Sequence, residues 1–336
     1  MNSLQQAWSD EWEKKAVRYI SIAEEASKNN NFITARELYF FATQCYYSIF
    51  LINLPTIDEK KRIYIKYASC YRKSTQYYSS NVEKLYIHLD QDRYLPCYLH
   101  HPDKSFGKQT PCVIVYAGLG SCKEEMHMLA RPLVERGISV LVPDMPGSGE
   151  ALFLKDIKCC ADDLNTAFKK IPDFLETRDD IRSDMIGTYG LCMGGGYAYR
   201  AASIDPRYSL CVTFFALRIT QVSPGTTPQW MKQGDWFNYQ TGNVKNPGFS
   251  NEMKILEEGN IKCPFLFIHG EHDNWMTLES AMHLFENAEG PKEKIIIEDE
   301  PVFSTEQFVT HTMPVGEQLH WIKNVAADWV KRYFHD

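Results

Sequence analysis

Short apolar runs alternate with helical patterns from Lys84 onward, and this alternation constrains the fold more than any other feature. Six runs are typical of buried strands: Cys112–Ala117, Ser139–Pro143, Met185–Tyr189, Leu210–Phe215, Phe265–Ile268 and Lys294–Glu298. Helical patterns fill most of the intervals and the end of the chain, over Glu124–Arg136, Asp156–Glu176, Gly194–Ile204, Leu278–Ala288 and Val315–Phe334. Near-continuous apolar strands separated by helices form parallel sheets that are covered on both faces. The pattern therefore predicts an α/β fold with a mostly parallel, doubly wound sheet.

Two segments in front of these runs have a different pattern. Lys84–Asp90 and Tyr94–His101 alternate apolar and polar residues on either side of a short polar turn. Such alternation is typical of a strand with one buried face. The two segments are therefore predicted to form a hairpin at one edge of the sheet.

The first eighty residues are predicted to be helical. Three segments carry apolar residues at helical spacing, Ala7–Lys28, Phe32–Leu54 and Asp58–Ser79, and they are rich in tyrosine and phenylalanine. We expect these rings to pack between the helices, since aromatic side chains contribute large apolar areas to a core. The predicted organisation is a helical domain over residues 1–80 and an α/β domain over residues 81–336. An aromatic-rich insertion at about 217–260 interrupts the second domain and resembles a lid.

The sequence Gly190-Leu191-Cys192-Met193-Gly194 joins a predicted strand directly to a predicted helix. A nucleophile between two glycines in this context marks a sharp strand–turn–helix elbow. The turn is so tight that the residues two before and two after the nucleophile must lack bulk. Cys192 would then be lifted into the open in strained backbone geometry at a helix N-terminus, a position that favours negative charge. We therefore predict that Cys192 is a nucleophile.

A carboxylate and a histidine should complete the triad in the chain order nucleophile, acid, base. Asp273 follows the run Phe265–Ile268 and a glycine, so we predict that it is the acid that orients the histidine. Two candidate histidines follow both Asp273 and the last predicted strand. His311 lies in a predicted loop, whereas His320 lies inside the last predicted helix. A base should hang from a loop over the nucleophile, so His311 is preferred and His320 remains the alternative.

Two backbone N–H groups should stabilise the oxyanion. One belongs to Met193, directly after the nucleophile, and the other is assigned to Leu119 in the loop Gly118-Leu119-Gly120-Ser121. Trp230, Trp236 and Phe237 of the insertion are predicted to line the substrate pocket. The nearby sequence from Asp144 to Glu150 is rich in glycine but lacks the Lys-Ser/Thr ending of a phosphate loop, so it is interpreted as a tight turn.

Charge and cysteine spacing exclude several other classes of function. The net charge of −7 argues against a general electrostatic attraction to nucleic acid or an anionic membrane. We find no signal-peptide pattern at the amino terminus and no apolar run of the roughly 20 residues that a membrane helix needs, so we expect a cytoplasmic protein. The ten cysteines contain no Cys-x-x-Cys pair and are expected to be reduced. No metal site and no cofactor are expected, because no cluster has ligand spacing.

Together these motifs resemble the α/β-hydrolase superfamily, and more narrowly its FrsA-like branch. That branch includes 2,6-dihydroxypseudooxynicotine hydrolase and the hydrolases that shorten polyketides. The resemblance rests on Gly118-Leu119, Lys123-Glu124-Glu125, the run from Asp144 to Glu150, the elbow, the segment ending in Asp273 and the closing helix. It implies an α/β-hydrolase fold whose amino-terminal helical domain caps the site and joins a homodimer. Such relatives carry serine where this chain has Cys192, and in that respect the chain is similar to dienelactone hydrolase and the bile-acid N-acyltransferases.

The predicted chemistry is acyl transfer through a thioester on Cys192. With water as the acceptor, the protein is a hydrolase of an ester, a thioester or a β-dicarbonyl carbon–carbon bond in secondary metabolism. With an amine, alcohol or carbon nucleophile, it is an acyltransferase or cyclase. A third hypothesis is a non-catalytic binding protein on a hydrolase scaffold. The expected partner is a small-molecule acyl compound, free or carrier-bound, without nucleic acid or membrane.

Overall fold

Two units make up the part of the chain that the computed structural model describes, namely residues 3–51, 56–78, 81–216, 259–273, 276–298 and 317–335. The described residues up to Val82 form one unit, and those from Glu83 onward form the other. None of the helices in these ranges is long and apolar enough to cross a membrane.

The described residues of the first unit form three helices, α1 (Ser3–Lys28), α2 (Phe32–Phe50) and α3 (Ile57–Thr75). α3 begins where Thr56 Oγ1 accepts a hydrogen bond from the backbone N–H of Glu59 at 3.2 Å, which satisfies one of the helix's unpaired donors. Small residues on α1 and α2 let the two helices pack closely through a buried cluster, which consists of Ala23, Ala26, Ala35 and Tyr39. The rings of Phe50 and Tyr67 stack with centroids 6.2 Å apart, so aromatic packing between helices is confirmed.

The described part of the second unit is built on eight strands. They are β1 (Val82–Asp90), β2 (Arg93–His100), β3 (Thr110–Tyr116), β4 (Ser139–Pro143), β5 (Ile181–Leu191), β6 (Tyr208–Phe214), β7 (Phe265–Gly270) and β8 (Lys292–Ile297). Every residue of β3, β4 and β7 is buried, as their near-continuous apolar character requires.

One sheet contains all eight strands in the order β1-β2-β4-β3-β5-β6-β7-β8. β2 pairs antiparallel with β4, and every neighbouring pair from β4 to β8 is parallel. The prediction of a mostly parallel sheet is therefore confirmed. β5 lies between β3 and β6, so the residue that follows its carboxyl end lies in the middle of the sheet edge.

Six helices within the described residues accompany the sheet: α4 (His127–Val134), α5 (Gly149–Phe153), α6 (Ala161–Glu176), α7 (Met193–Ile204), α8 (Leu278–Asn287) and α9 (Glu317–His335). Two differences from the predicted pattern matter for the site. The predicted helix Glu124–Arg136 begins only at His127, because Lys123 and Glu124 belong to a buried loop. The short helix α5 was not predicted, since the sequence from Asp144 to Glu150 was interpreted as a turn.

Candidate active site

The elbow after β5 has the strained geometry that its sequence predicts. Cys192 stands between the last residue of β5 and the first residue of α7, with φ 57° and ψ −121°. This region is rarely populated by residues other than glycine and costs free energy. The backbone N–H of Cys192 donates to the carbonyl of Phe214 on β6 at 2.8 Å, and its carbonyl accepts from the N–H of Gly195 at 2.9 Å. The neighbouring strand and the helix therefore hold the turn from both sides.

Two glycines make this turn possible. A Cβ atom added at Gly190 would lie 1.9 Å from the carbonyl oxygen of Gly194, and one added at Gly194 would lie 2.1 Å from the carbonyl oxygen of Tyr116. Both distances are far below van der Waals contact with backbone atoms. The glycine spacing of the motif is therefore a steric requirement of the fold.

The Cys192 side chain is less open than the sequence predicts. It was expected to be lifted into the open, but only 3% of the residue is exposed. One cause is the loop after β3, because a Cβ atom added at Gly118 would lie 3.2 Å from Cys192 Cβ and 3.8 Å from its Sγ. The thiol thus lies against the loop that carries one of the predicted oxyanion donors.

The two predicted oxyanion donors belong to the residue after Cys192 and to the loop that approaches Cys192. Met193 is the first residue of α7, where backbone N–H groups point out of the helix end. Leu119 directly follows Gly118, which contacts Cys192, and the loop turns back through a hydrogen bond from the N–H of Ser121 to the carbonyl of Gly118 at 3.2 Å. The geometry is compatible with the predicted pair of donors.

Asp273 is buried beyond the carboxyl end of β7. Its Oδ1 atom accepts a hydrogen bond from the backbone N–H of Met276 at 3.0 Å. Its Oδ2 atom lies 3.5 Å from Nε2 of His269, whose side chain is completely buried and whose Nε2 also lies 2.9 Å from the carbonyl oxygen of Met276. These contacts fix the orientation of the carboxylate. Since β6 alone separates β5 from β7, the structure brings Cys192 and Asp273 to neighbouring positions along one sheet edge.

Several predicted site residues are not covered by this geometry. His311, Trp230, Trp236 and Phe237 lie outside the described residues. His320 lies in the first turn of α9, and its side chain is also outside them. The choice between His311 and His320 as the base therefore stays a prediction.

An apolar crevice adjoins the elbow. It lies between the loops that follow β3 and β4 and the start of α7, and its lining consists of Ala117, Gly118, Pro143, Met145, Pro146, Ser148, Met193 and Tyr197. The crevice therefore offers apolar surface next to the residue after the predicted nucleophile.

Six other thiols of the described chain are poor nucleophiles. Burial raises the pKa of Cys70 and of Cys112 to about 12 and that of Cys263 to about 11. Burial also raises the pKa of Cys97, Cys122 and Cys211 well above the ordinary value of a thiol. Because the thiolate is the reactive form, these cysteines stay unreactive at neutral pH.

Sequence reasoning missed two buried groups close to this site. His269 has no role in the site predicted from the sequence, although a histidine four residues before the predicted acid is a usable signal. Lys123 was noted only as part of a motif, yet it is completely buried among carboxylates. Of the described residues, no group of three or more His, Cys, Asp and Glu side chains has the arrangement of a metal site.

An eight-stranded, mostly parallel sheet with a strained elbow after its central strand defines an α/β-hydrolase-fold enzyme. Residues 95–298, more than half of the chain, match the dienelactone hydrolase family. The chain belongs to that family and is a hydrolase, which confirms the predicted superfamily.

Individual relatives agree with this assignment. The chain is 26% identical to 2,6-dihydropseudooxynicotine hydrolase of Paenarthrobacter nicotinovorans over 79% of its own length and 71% of the relative's. It is 28% identical to the alpha/beta hydrolase xenA of Xenoacremonium sinensis over 96% of its own length and 82% of the relative's. Among solved structures, 2,6-dihydroxy-pseudo-oxynicotine hydrolase superimposes with a TM-score of 0.79 at 22% identity, covering 98% of this chain and 89% of the other. These similarities confirm the predicted branch and the fold.

Proposed function

We propose that this hydrolase acts through an acyl-enzyme intermediate on Cys192. The observation that carries the proposal is the backbone of Cys192, which is held at φ 57° between β5 and the amino end of α7. Strain of this kind persists only where the surrounding structure enforces it, and it clusters at catalytic positions. In the proposed mechanism the elbow presents the Cys192 thiol at the N-terminus of α7. The backbone N–H groups of the helix start and of the loop after β3 lie beside it.

The proposed reaction has two half-reactions. In the first, Sγ of Cys192 attacks a substrate carbonyl while His311, or alternatively His320, takes the thiol proton. The N–H groups of Met193 and Leu119 stabilise the oxyanion, and the leaving group departs with the proton from the histidine. In the second, the histidine takes a proton from water, hydroxide oxygen attacks the thioester, and the thiol is restored. Asp273 orients the histidine throughout.

The proposed substrate carries a carbonyl next to a flat or partly apolar acyl group. The mostly apolar residues beside the elbow, among them Met145, Pro146 and Met193, support this class over a charged acyl chain. An ester, a thioester or the carbon–carbon bond of a β-dicarbonyl compound would satisfy the reaction. The relative named as a 2,6-dihydropseudooxynicotine hydrolase supports a ketone-bearing aromatic substrate. The expected roles of residues 1–80 in capping and dimerisation, and of the segment at about 217–260 as a lid, stay predictions.

Intact mass spectrometry tests the nucleophile directly. The protein is mixed with p-nitrophenyl acetate and with an aromatic acyl thioester, and the acylated species is mapped by peptide digestion. We expect one acyl group on Cys192, its absence in Cys192→Ala, and loss of turnover in that variant. The matched control is Cys211→Ala, which removes a buried thiol with a raised pKa and should keep acylation and turnover. Full turnover in Cys192→Ala would refute the mechanism.

The acceptor and the base are tested with the same substrates. If added amines or alcohols intercept the acyl group faster than water hydrolyses it, the transferase alternative is favoured over the hydrolase. His311→Ala should lower turnover by several orders of magnitude with little effect on stability, because a loop base acts in the transition state. His320→Ala should leave turnover largely intact and act on stability instead. The reverse pair of results would make His320 the base.

A further inference from the structure

A completely buried lysine lies next to the loop that carries Leu119. Nζ of Lys123 lies 2.6 Å from Oδ2 of Asp144, 3.1 Å from Oε2 of Glu150 and 3.1 Å from Oε1 of Glu124. The Lys123 side chain has no exposed surface, and its ammonium also lies 5.2 Å from the centre of the Tyr98 ring. Burying an ammonium is costly unless charged partners and hydrogen bonds surround it. A chain that retains such a group has a structural or functional use for it.

The carboxylates around Lys123 are held in turn by neighbouring strands. Asp144 accepts hydrogen bonds from the backbone N–H of Lys123 at 2.8 Å and of Glu150 at 2.7 Å, and its own N–H donates to the carbonyl of Pro96 at 2.8 Å. Glu150 also accepts from Nζ of Lys84 at 3.0 Å and from the hydroxyl of Tyr86 at 2.8 Å. The ammonium is thus anchored to β1, β2 and the end of β4.

The charges in this cluster are consistent with a permanent network. Burial would raise the pKa of Glu150, but Lys123, together with Lys84 and Tyr86, keeps it below its ordinary value. Burial raises the pKa of Glu124 in spite of the neighbouring ammonium. Glu150 is therefore ionised at neutral pH, whereas burial favours the protonated form of Glu124.

Lys123 connects two segments that border the elbow. It follows Leu119 by four residues in the loop between β3 and α4, and Gly118 of that loop contacts Cys192. Asp144 and Glu150 enclose the segment whose Met145, Pro146 and Ser148 line the apolar crevice. One ammonium therefore joins the loop with the predicted oxyanion donor to the opposite wall of the crevice.

We propose that Lys123 is a positioning residue that holds the Leu119 N–H in place to stabilise the oxyanion. The proposal rests on the function proposed above, because it assumes an oxyanion formed after attack by Cys192. Oxyanion donors act only when they lie about 2.7–3.1 Å from the developing charge. A displacement of about 1 Å lowers the rate about 100-fold. Lys123 acts through the backbone of its loop and does not touch the substrate.

The test separates oxyanion stabilisation from the reactivity of the thiol. Lys123→Met is compared with Lys84→Met, which removes another ammonium from Glu150 but lies outside the loop. Iodoacetamide alkylates Cys192 without forming an oxyanion. The Cys192 thiol adds to the carbonyl group of phenylacetaldehyde and gives a hemithioacetal. A C–S bond forms, and the thiol proton is transferred to the carbonyl oxygen. The affinity of the aldehyde therefore reports on the oxyanion donors.

We expect Lys123→Met to weaken inhibition by phenylacetaldehyde 10- to 100-fold and to lower kcat for p-nitrophenyl acetate by a similar factor. KM for that ester and the rate of alkylation by iodoacetamide should change less than threefold. Lys84→Met should leave all four quantities unchanged. If Lys123→Met does not fold, Glu150→Gln, which weakens the hold on the ammonium at constant shape, replaces it with the same expected direction. Unchanged aldehyde affinity in the folded variant, or an equal loss in Lys84→Met, would overturn the proposal.

A failure of the proposed function gives a different result. In that case iodoacetamide and the aldehyde would not compete for Cys192 in the wild-type protein, and Cys192→Ala would retain turnover. The positioning role fails when Cys192 reacts with both reagents but the loss of Lys123 leaves the aldehyde affinity unchanged, or when Lys84→Met lowers that affinity equally.

Discussion

Replacement of Cys192 by glycine should reveal the strain stored in the elbow. Cys192→Ala removes the thiol but keeps a Cβ atom at φ 57°, whereas Cys192→Gly removes the Cβ atom as well. The comparison between these two variants therefore isolates the cost of a side chain in this backbone region. It does so without any contribution from the sulfur atom.

The magnitude follows from three opposing terms. Relief of the backbone strain should stabilise the glycine variant by about 1–3 kcal/mol. Glycine's larger loss of conformational freedom on folding costs about 0.5–1 kcal/mol. The loss of one buried methyl group costs about 0.8 kcal/mol. Cys192→Gly should thus lie between about 0.8 kcal/mol less stable and about 1.7 kcal/mol more stable than Cys192→Ala.

Ala198→Gly is the matched control on the same helix. Ala198 is completely buried in α7, so its change to glycine removes a methyl group and adds backbone freedom without relieving strain. This variant should lose about 1.5 kcal/mol of unfolding free energy. Urea denaturation followed by circular dichroism gives both differences from the midpoints, provided that the slopes agree. If Cys192→Gly is less stable than Cys192→Ala by as much as Ala198→Gly is less stable than wild type, the elbow is unstrained and the reasoning is wrong.

Three further changes have defined outcomes. Gly194→Ala places a Cβ atom 2.1 Å from the carbonyl oxygen of Tyr116, so it should abolish turnover and iodoacetamide labelling of Cys192. The control Gly107→Ala, near the short turn at Lys104–Phe106, should leave turnover and labelling intact. Burial, with smaller contributions from His127 and His101, holds the pKa of His100 well below its ordinary value, so the unfolded state binds the proton first as pH falls below about 6.5. The free energy of unfolding should therefore fall by up to about 1.4 kcal/mol for each unit by which the pH is lowered. In urea titrations His100→Phe should remove this dependence on pH, whereas His88→Phe should keep it. Tyr208→Phe removes a buried hydroxyl that donates to the carbonyl of Phe168 at 2.7 Å, so it should cost about 1–3 kcal/mol, against no measurable change for the exposed Tyr94→Phe.

The strands could be predicted because burial on both faces leaves a clear record of apolar residues. The observed bounds of β4 are those of the apolar run that predicted it, and β7 begins at the first residue of its predicted run. β5 is longer than predicted, since Arg182, Ser183 and Asp184 extend it at a partly exposed end. Hydrophobic patterning detects the covered part of a strand and misses an end that reaches solvent.

The elbow could be predicted for a steric reason, whereas the buried ion network could not. Only glycine fits at 190 and 194, so the motif itself records the geometry. Lys123 and Glu124 carry charges that patterning assigns to a helix surface. Lys123 is buried because its partners, Asp144 and Glu150, come from a segment 21–27 residues further along the chain, and Glu124 is buried beside Lys123. The local sequence does not indicate such a pairing between distant segments. The helix α5 was missed for another reason, because its five residues are too few to show the periodic spacing of apolar residues in a helix.

The order of the strands in the sheet also has a consequence for synthesis on the ribosome. β5 and both of its neighbours, β3 and β6, are complete once Phe214 has been synthesised. The other neighbour of β6 is β7, whose synthesis begins only at Phe265. At about 5–20 residues per second, the intervening fifty residues or so take roughly 3–10 seconds. During that interval the apolar edge of β6 can pair with another nascent chain, as exposed strand edges do. Slow translation between these two strands should therefore lower the yield of folded enzyme.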